Sequence, residues 1–299
     1  EGGGGEGAVA FSASASLSAP SFGLQFSKLC ARQLRQTVRH PLVFSLNCVV
    51  TSFTALGLGL LFHGVTDDLP GVLNRCGVVF FLLSFFMLTG LVSLSLWQQE
   101  RLLYFHEHSA GCYGPGACVL AKALCEMLPL RVLPVFFFGA VAYPLIGLKP
   151  TAEAAGWFAL IVCLANANAS ALFNCIGIAC ANSALGTLVA VVAALLSQLL
   201  CGFILNKNSL SAASLMLTKL SVLNYAFEAL MINELEGVAI VIKPKGIDVA
   251  YPTTGKVILD QIGIDEDNFS ADVASLCVWL VVCVCFSYAL LKWCVKETR

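Results

Sequence analysis

The chain has 299 residues, 58% of them hydrophobic and 12% charged, with a mean hydropathy of +0.85. Soluble domains carry roughly a quarter charged residues, so an ordinary soluble enzyme is excluded. Seventeen basic against 18 acidic side chains leave a net charge of −1, without the basic footprint of a nucleic-acid binder.

Residues 1–21 are low-complexity Gly, Ser and Ala, which reads as a flexible linker. The chain begins with Glu rather than Met, and the expectation is that a further segment lies upstream. Residues 22–38 follow a helical period. Lys28, Arg32, Arg35 and Arg39 form one stripe, and Phe22, Phe26, Leu29, Cys30 and Leu34 form the opposite face. Such a helix lies in the membrane interface against anionic lipid, although the same stripe also suits a solvated helix face.

A membrane helix needs about 20 mainly apolar residues. Segments 42–62, 76–97, 154–182, 184–205 and 273–291 carry no charge. Segment 120–148 is apolar but interrupted by Lys122, Glu126 and Arg131 and by Pro129, Pro134 and Pro144, which predicts a pass with a broken or tilted start. These make six spans. Lys28, Arg32, Arg35 and Arg39 precede the first, Arg101 and Lys122 lie between the second and third, and Lys292, Lys296 and Arg299 follow the last. The opposite short loops hold Arg75 and Lys149. The positive-inside rule therefore predicts a multi-pass integral membrane protein with both termini cytoplasmic.

After the second span, residues 98–108 read as a short amphipathic cytoplasmic helix ending in the glycine-rich turn Gly111 to Gly116. Asn182 and Ser183 leave room for only a tight hairpin between spans four and five. Residues 206–272 form a long outer loop, with an apolar segment at 212–235 and then a polar lobe. Asn268-Phe269-Ser270 is a glycosylation sequon close to the last span. No inverted repeat of the secondary-transporter kind is visible.

His106-Glu107-His108 does not read as a metal site, because neighbours at i and i+2 point to different sides of a helix. The cysteines have no Cys-x-x-Cys pair and lie largely within apolar stretches, where they act as small hydrophobes. No phosphate-binding Gly-x-x-x-x-Gly-Lys-Ser/Thr loop and no convergent catalytic set occur. The chain by itself neither binds nor hydrolyses ATP on this reading, and it holds no metal or cofactor. Arg131 is the costliest residue in the membrane and by default a functional site; the alternative is a snorkelling residue that orders the helix start beside Glu126. Gln198 in the fifth span either bonds a neighbouring helix or faces a water-filled cavity.

The motifs occur in a specific order. Gln25-Phe26-x-x-Leu29-x-x-Arg32 and Arg39-x-Pro41 precede span one, and Glu100-Arg101 with His106-Glu107-x-x-x-Gly111-x-Tyr113 follow span two. Then come Ala121-Lys122, Leu128-Pro129-Leu130-Arg131-Val132-Leu133-Pro134, and Tyr143 with Gly147-Leu148-Lys149-Pro150. Gly202-Phe203-Ile204-Leu205-Asn206, Tyr225-Ala226-Phe227-Glu228-Ala229-Leu230 and Asn233-Glu234 complete the series. From residue 22 to 299 this order resembles the transmembrane half of G-subfamily ABC exporters, the white and breast-cancer-resistance-protein type.

The resemblance implies an all-α, six-helix ABC-2 type permease over residues 22–299 that forms a homo- or heterodimer with a cavity on the two-fold axis. It implies a nucleotide-binding domain, upstream or on another chain, that carries ATP and Mg. Glu100, Arg101 and Glu107 correspond to the helix that couples to that ATPase. Phe85, Leu88, Leu195 and Gln198 correspond to the substrate cavity, and Phe203 and Ile204 to its gate. Leu88 stands where the best-known drug exporter of the family has an aromatic clamp, and the outer-loop cysteines of that exporter are absent, so multidrug export is not implied. The expected function is ATP-driven export of amphipathic or lipid-like compounds such as lipids, sterols or xenobiotics. Competing readings are a scaffold or permease relic without an ATPase, and a secondary transporter coupled to protons through Glu126 and Arg131.

Overall fold

The computed structural model describes residues 21–39, 42–126, 128–204, 207, 211–242 and 251–293. Nearly all of the linker, and Leu205, Asn206, Lys296 and Arg299, lie outside these residues. Helix α1 (Phe22–Arg39) keeps Leu29 and Gln33 buried and most of the rest, including Lys28 and Arg35, exposed. It packs on α5 (Pro115–Ala121) as an amphipathic helix at one end of the body. Helix α2 (Leu42–Leu61) buries Thr51, Ala55 and Leu58, a stripe at four- and three-residue spacing. That stripe faces inward, while Leu46, Val49, Phe53 and Leu60 are exposed.

Helices α3 (Leu69–Thr89) and α4 (Leu91–Ser109) meet at Gly90 and form one run of 41 residues. Asp68 caps the start by accepting the Gly71 N–H at 2.9 Å. At 1.5 Å per residue the run is about 60 Å long, twice the hydrocarbon thickness. The segment 98–108 is therefore the protruding end of the second span. It does not form a separate helix, because no Gly or Pro interrupts the ladder between Leu91 and Ser109.

The third pass is broken as its charges and prolines predict. Helix α5 runs into two π-helical turns, Lys122–Glu126 and Leu128–Val132, before α6 (Leu133–Ile146). Pro129 lacks the N–H that an α-helical ladder needs, and local π adjustments of this kind re-satisfy the backbone groups that a proline frees inside a membrane helix. Helix α7 (Ala152–Ala179) is the hub, packed by α3, α4, α6, α8 and α12. Helix α8 (Ser183–Leu199) ends six residues short of the predicted span, where the chain turns through Gly202 at a φ of +93°. Its buried residues are Gly186, Ala190 and Ala194, so α8 approaches closely through small side chains and turns its large ones outward.

The outer loop is not only a solvated lobe. Helices α9 (Ala212–Thr218) and α10 (Val222–Leu235) meet at 86°, and α10 is buried from Leu223 to Leu235 except at Tyr225. Both parts of α10 are held at one end of the body: Glu228 by Lys207 just beyond α8, and Glu234 by the α6–α7 turn. The pair is thus a re-entrant plug and does not cross. A two-stranded antiparallel hairpin follows, β1 (Ala239–Ile242) with β2 (Tyr251–Thr254), pairing Ala239 with Thr254 and Ile242 with Tyr251. This is the one departure from the all-α expectation among the described residues. Helix α11 (Gly255–Ile262) starts where a Cβ on Gly255 would fall 2.0 Å from the Leu235 carbonyl oxygen, so only Gly fits. Asn268 is exposed in a 3-10 turn directly before α12 (Phe269–Trp293).

Four runs are long and apolar enough to cross a membrane, α2, α3 with α4, α7 and α12; the bent pair α5 with α6 and the shorter apolar helix α8 bring the number to the six expected of the fold. The main core lies between α3, α6, α7 and α10, and a smaller core at the α1 end joins Leu29, Trp97, Tyr104, Tyr113 and Ile178.

Candidate functional site

At the α1 end, the polar face of α4 is bound into the body. Arg32 donates to both carboxylate oxygens of Glu107 at 2.7 Å, and the Tyr113 hydroxyl donates to the same carboxylate at 2.7 Å. Glu100 pairs with Lys122 at 2.6 Å, and that ammonium lies 4.9 Å from the Trp97 ring. Arg101 donates to the Cys180 carbonyl at 2.9 Å. The expected coupling residues therefore reach three neighbours: Glu107 the interface helix, Glu100 the broken third pass and, accepting from Gln36 at 3.5 Å, the interface helix as well, and Arg101 the α7–α8 turn. What α4 leaves open to a partner is Leu102, 73% exposed, with Leu103 and His106. The helical period places these residues on the remaining face, but the acids are the more conspicuous signal in the sequence.

Arg131 is only 2% exposed and does not snorkel. Its guanidinium donates to the Thr89 carbonyl at 3.0 Å and to the Ser93 hydroxyl at 2.6 Å. The cause is local. At the α3–α4 joint the Ser93 N–H bonds the Gly90 carbonyl, three residues back, which frees the Thr89 carbonyl for Arg131. A Cβ on Gly90 would lie 2.9 Å from the Phe173 ring, so the joint depends on glycine. Asn166 donates to the Arg131 carbonyl at 3.0 Å, tying α7 to the same break. Asn166 and Asn168 were readable as polar residues within an apolar span. The Glu126 side chain lies outside the described residues.

Phe85 and Leu88 on α3 and Leu195 and Gln198 on α8 lie on two packed neighbours. Leu88 is 47% and Leu195 57% exposed, Phe85 is half-buried, and the Gln198 Nε2 is buried with no hydrogen-bond partner among the described residues. An amide donor in such a position is costly unless water or a polar group reaches it. Toward the α10 end, Phe203 stacks on Phe80 at 5.0 Å and lies 6.0 Å from Phe227; Ile204 is exposed. The two gate positions thus sit beyond the end of α8, with Phe203 against α3 and α10.

A fourth cluster, which sequence reasoning did not join, closes the α10 end. Glu234 accepts from the Lys149 N–H at 3.0 Å, and the Tyr143 hydroxyl, which donates its one proton to the Lys149 carbonyl at 2.7 Å, lies 3.4 Å from the same carboxylate. Gly147 makes the turn at a φ of +78°. Asn224 and Lys207 both contact the Glu228 carboxylate.

The profile of the ABC-2 type transporter family matches residues 24–235. The chain belongs to that family. It is 31% identical over 276 residues to a probable ATP-dependent permease of Saccharomyces cerevisiae, covering 92% of this chain and 26% of the permease. It is 29% identical over 284 residues to ABC transporter G family member 24 of Dictyostelium discoideum, covering 94% of this chain and 24% of that protein. Against the broad substrate specificity ATP-binding cassette transporter ABCG2 of Bos taurus the figures are 29% over 221 residues, 73% of this chain and 33% of the transporter. The ABC-2 domain here is thus of the G-subfamily kind, a multi-pass integral membrane domain spanning a quarter to a third of the length of these relatives.

Proposed function

We propose that this chain is the membrane half of an ATP-driven exporter of amphipathic, lipid-like compounds that works as a dimer by alternating access. Residues 1–21 serve as its linker and residues 22–299 as one permease domain, with both termini cytoplasmic. ATP and Mg belong to a nucleotide-binding domain upstream or on another chain. The observation that carries the reading is the α3/α8 face. Packed helices α3 and α8 carry exposed Leu88 and Leu195 and an amide donor, the Gln198 Nε2, with no partner among the described residues, and the aromatic cluster beyond α8 can hold a constriction dry. Amphipathic cargo loses part of its hydration on such a face and regains it beyond the gate. The bracing of α4 onto α1, the third pass and the α7–α8 turn gives a docked ATPase a lever on several helices at once.

The test is water access. In the full-length protein with its native cysteines replaced by alanine, Gln198→Cys is expected to react with a membrane-impermeant maleimide, and addition of a transported amphiphile is expected to slow the reaction. A cysteine at 198 that never labels would remove the α3/α8 face from the transport path.

A further inference from the structure

An apolar cavity of about 360 Å³ opens on the lateral wall where the broken third pass meets α7 and α12. Its walls include Leu120 and Leu124, Ala167 of α7, and Val281, Val284 and Cys285 of α12. None of its lining residues comes from α3 or α8, so it lies apart from the proposed transport path. Arg131 borders it too, but its guanidinium is held on Thr89 and Ser93, and neither of these lines the cavity. The recess therefore offers almost pure hydrocarbon. Its size falls in the range of roughly 300–1,000 Å³ usual for small-molecule sites. Its rim residue Val281 is 62% exposed, and in a membrane that rim meets lipid tails. A void left empty there would forfeit dispersion contacts along every wall.

The face of α12 says what fills it. Residues 281, 284, 285, 288 and 292 recur at three- and four-residue spacing and form one stripe. Below Cys285 the stripe continues to Tyr288, whose ring would be 3.5 Å from a Cβ on Gly116 of α5, with the Phe22 ring 3.7 Å from the same point. One further turn on, the exposed Lys292 ammonium sits 5.9 Å from the Tyr288 ring. The stripe thus grades from aliphatic to aromatic to cationic over about 16 Å of helix. That is the order of a membrane leaflet from tails to headgroups, with tyrosine and lysine at the interface.

We propose that the cavity holds one acyl chain of a resident bilayer phospholipid, with its phosphate at the Lys292 ammonium. The lipid fills the gap that the π-helical break leaves between the third pass and α12, and it fastens the two together. It is bound as a component of the wall and is not cargo. The chemistry fits at both ends: apolar burial for the chain, and a charge-assisted hydrogen bond for the phosphate.

The test uses the full-length protein in phospholipid nanodiscs doped with a phosphatidylcholine that carries a photoactivatable diazirine midway along one chain. After illumination and peptide mapping, crosslinks are expected on 280–285 and 120–124 about tenfold above those on the exposed α2 face around Phe53. Ala167→Phe, which fills the recess, is expected to remove this excess and leave α2 labelling unchanged. Lys292→Glu is expected to cut it several-fold. If Ala167→Phe fails to give a monodisperse protein, Val284→Trp fills the cavity from the α12 side. Equal labelling of the cavity and α2, or an excess that persists in the filled variants, would overturn the proposal. So would a photoactivatable sterol that labels the same peptides and displaces the phospholipid.

Discussion

Replacing Arg131 by methionine keeps the length of the aliphatic stem and deletes the guanidinium. Two bonds from a charged donor are lost, one to the Thr89 carbonyl and one to the Ser93 hydroxyl. The hydroxyl can rotate to a backbone acceptor, but the Thr89 carbonyl cannot. Its i+4 donor is engaged elsewhere at the Gly90 joint, so it is left buried and unpaired at about 1–3 kcal/mol. Removing a buried charge returns part of that cost. The expected net loss is about 2 kcal/mol, or roughly thirty-fold in the unfolding equilibrium. The assay is reversible unfolding in mixed micelles titrated with dodecyl sulfate and followed by tryptophan fluorescence. Ser93→Ala alone is expected to cost about 1 kcal/mol, and much less in the Arg131→Met background, for a coupling near 1 kcal/mol. Strict additivity of the two substitutions would refute the assignment of Arg131 as the strut between the third pass and the α3–α4 joint.

Glu107→Ala and Arg32→Ala are expected to lower substrate-stimulated ATP hydrolysis to a similar extent, because each breaks the same brace between α1 and α4. Leu102→Asp is expected to lower it further without loss of folded protein, since Leu102 is exposed; a loss confined to Glu107→Ala would mean the carboxylate itself meets the ATPase. Phe203→Ala with Ile204→Ala is expected to raise basal turnover, and unchanged basal rates would place that pair against lipid. Glu234→Ala leaves the Lys149 N–H without its acceptor while the Tyr143 hydroxyl keeps the Lys149 carbonyl, and is expected to cost about 1–2 kcal/mol in the micelle titration, whereas a loss below about 0.5 kcal/mol would show that the α6–α7 turn closes without it.

The spans and the interface helix were legible because hydrophobic run length and the period of 3.6 are local properties, read directly from residues such as Leu29, Ala55 and Ala190. The broken third pass was legible for the same reason, since Pro129 and Arg131 are visible in one window. What escaped depends on distance. Glu234 meets its partners 85 and 91 residues earlier in the chain, and nothing local marks α10 as buried on nearly every side. The continuity of α3 into α4 was hidden because Gln98 to His108 changes polarity without changing conformation. The β1–β2 hairpin lies in a polar lobe whose alternation is too short to stand out. At the candidate path, Gln198 drew notice as a polar residue in an apolar span, whereas the lack of a partner for its Nε2 among the described residues became evident only from the packing of α8.

The most direct measurement of the central claim is transport by the full-length protein carrying this chain, reconstituted in proteoliposomes loaded with a panel of fluorescent amphiphiles. With Mg-ATP on the side of the nucleotide-binding domain, at least one amphiphile is expected to move across the bilayer. That movement should stop when ATP is replaced by a non-hydrolysable analogue, and Gln198→Leu should change which members of the panel move. Movement driven equally well by a pH gradient without ATP, or a panel profile untouched by Gln198→Leu, would contradict the account.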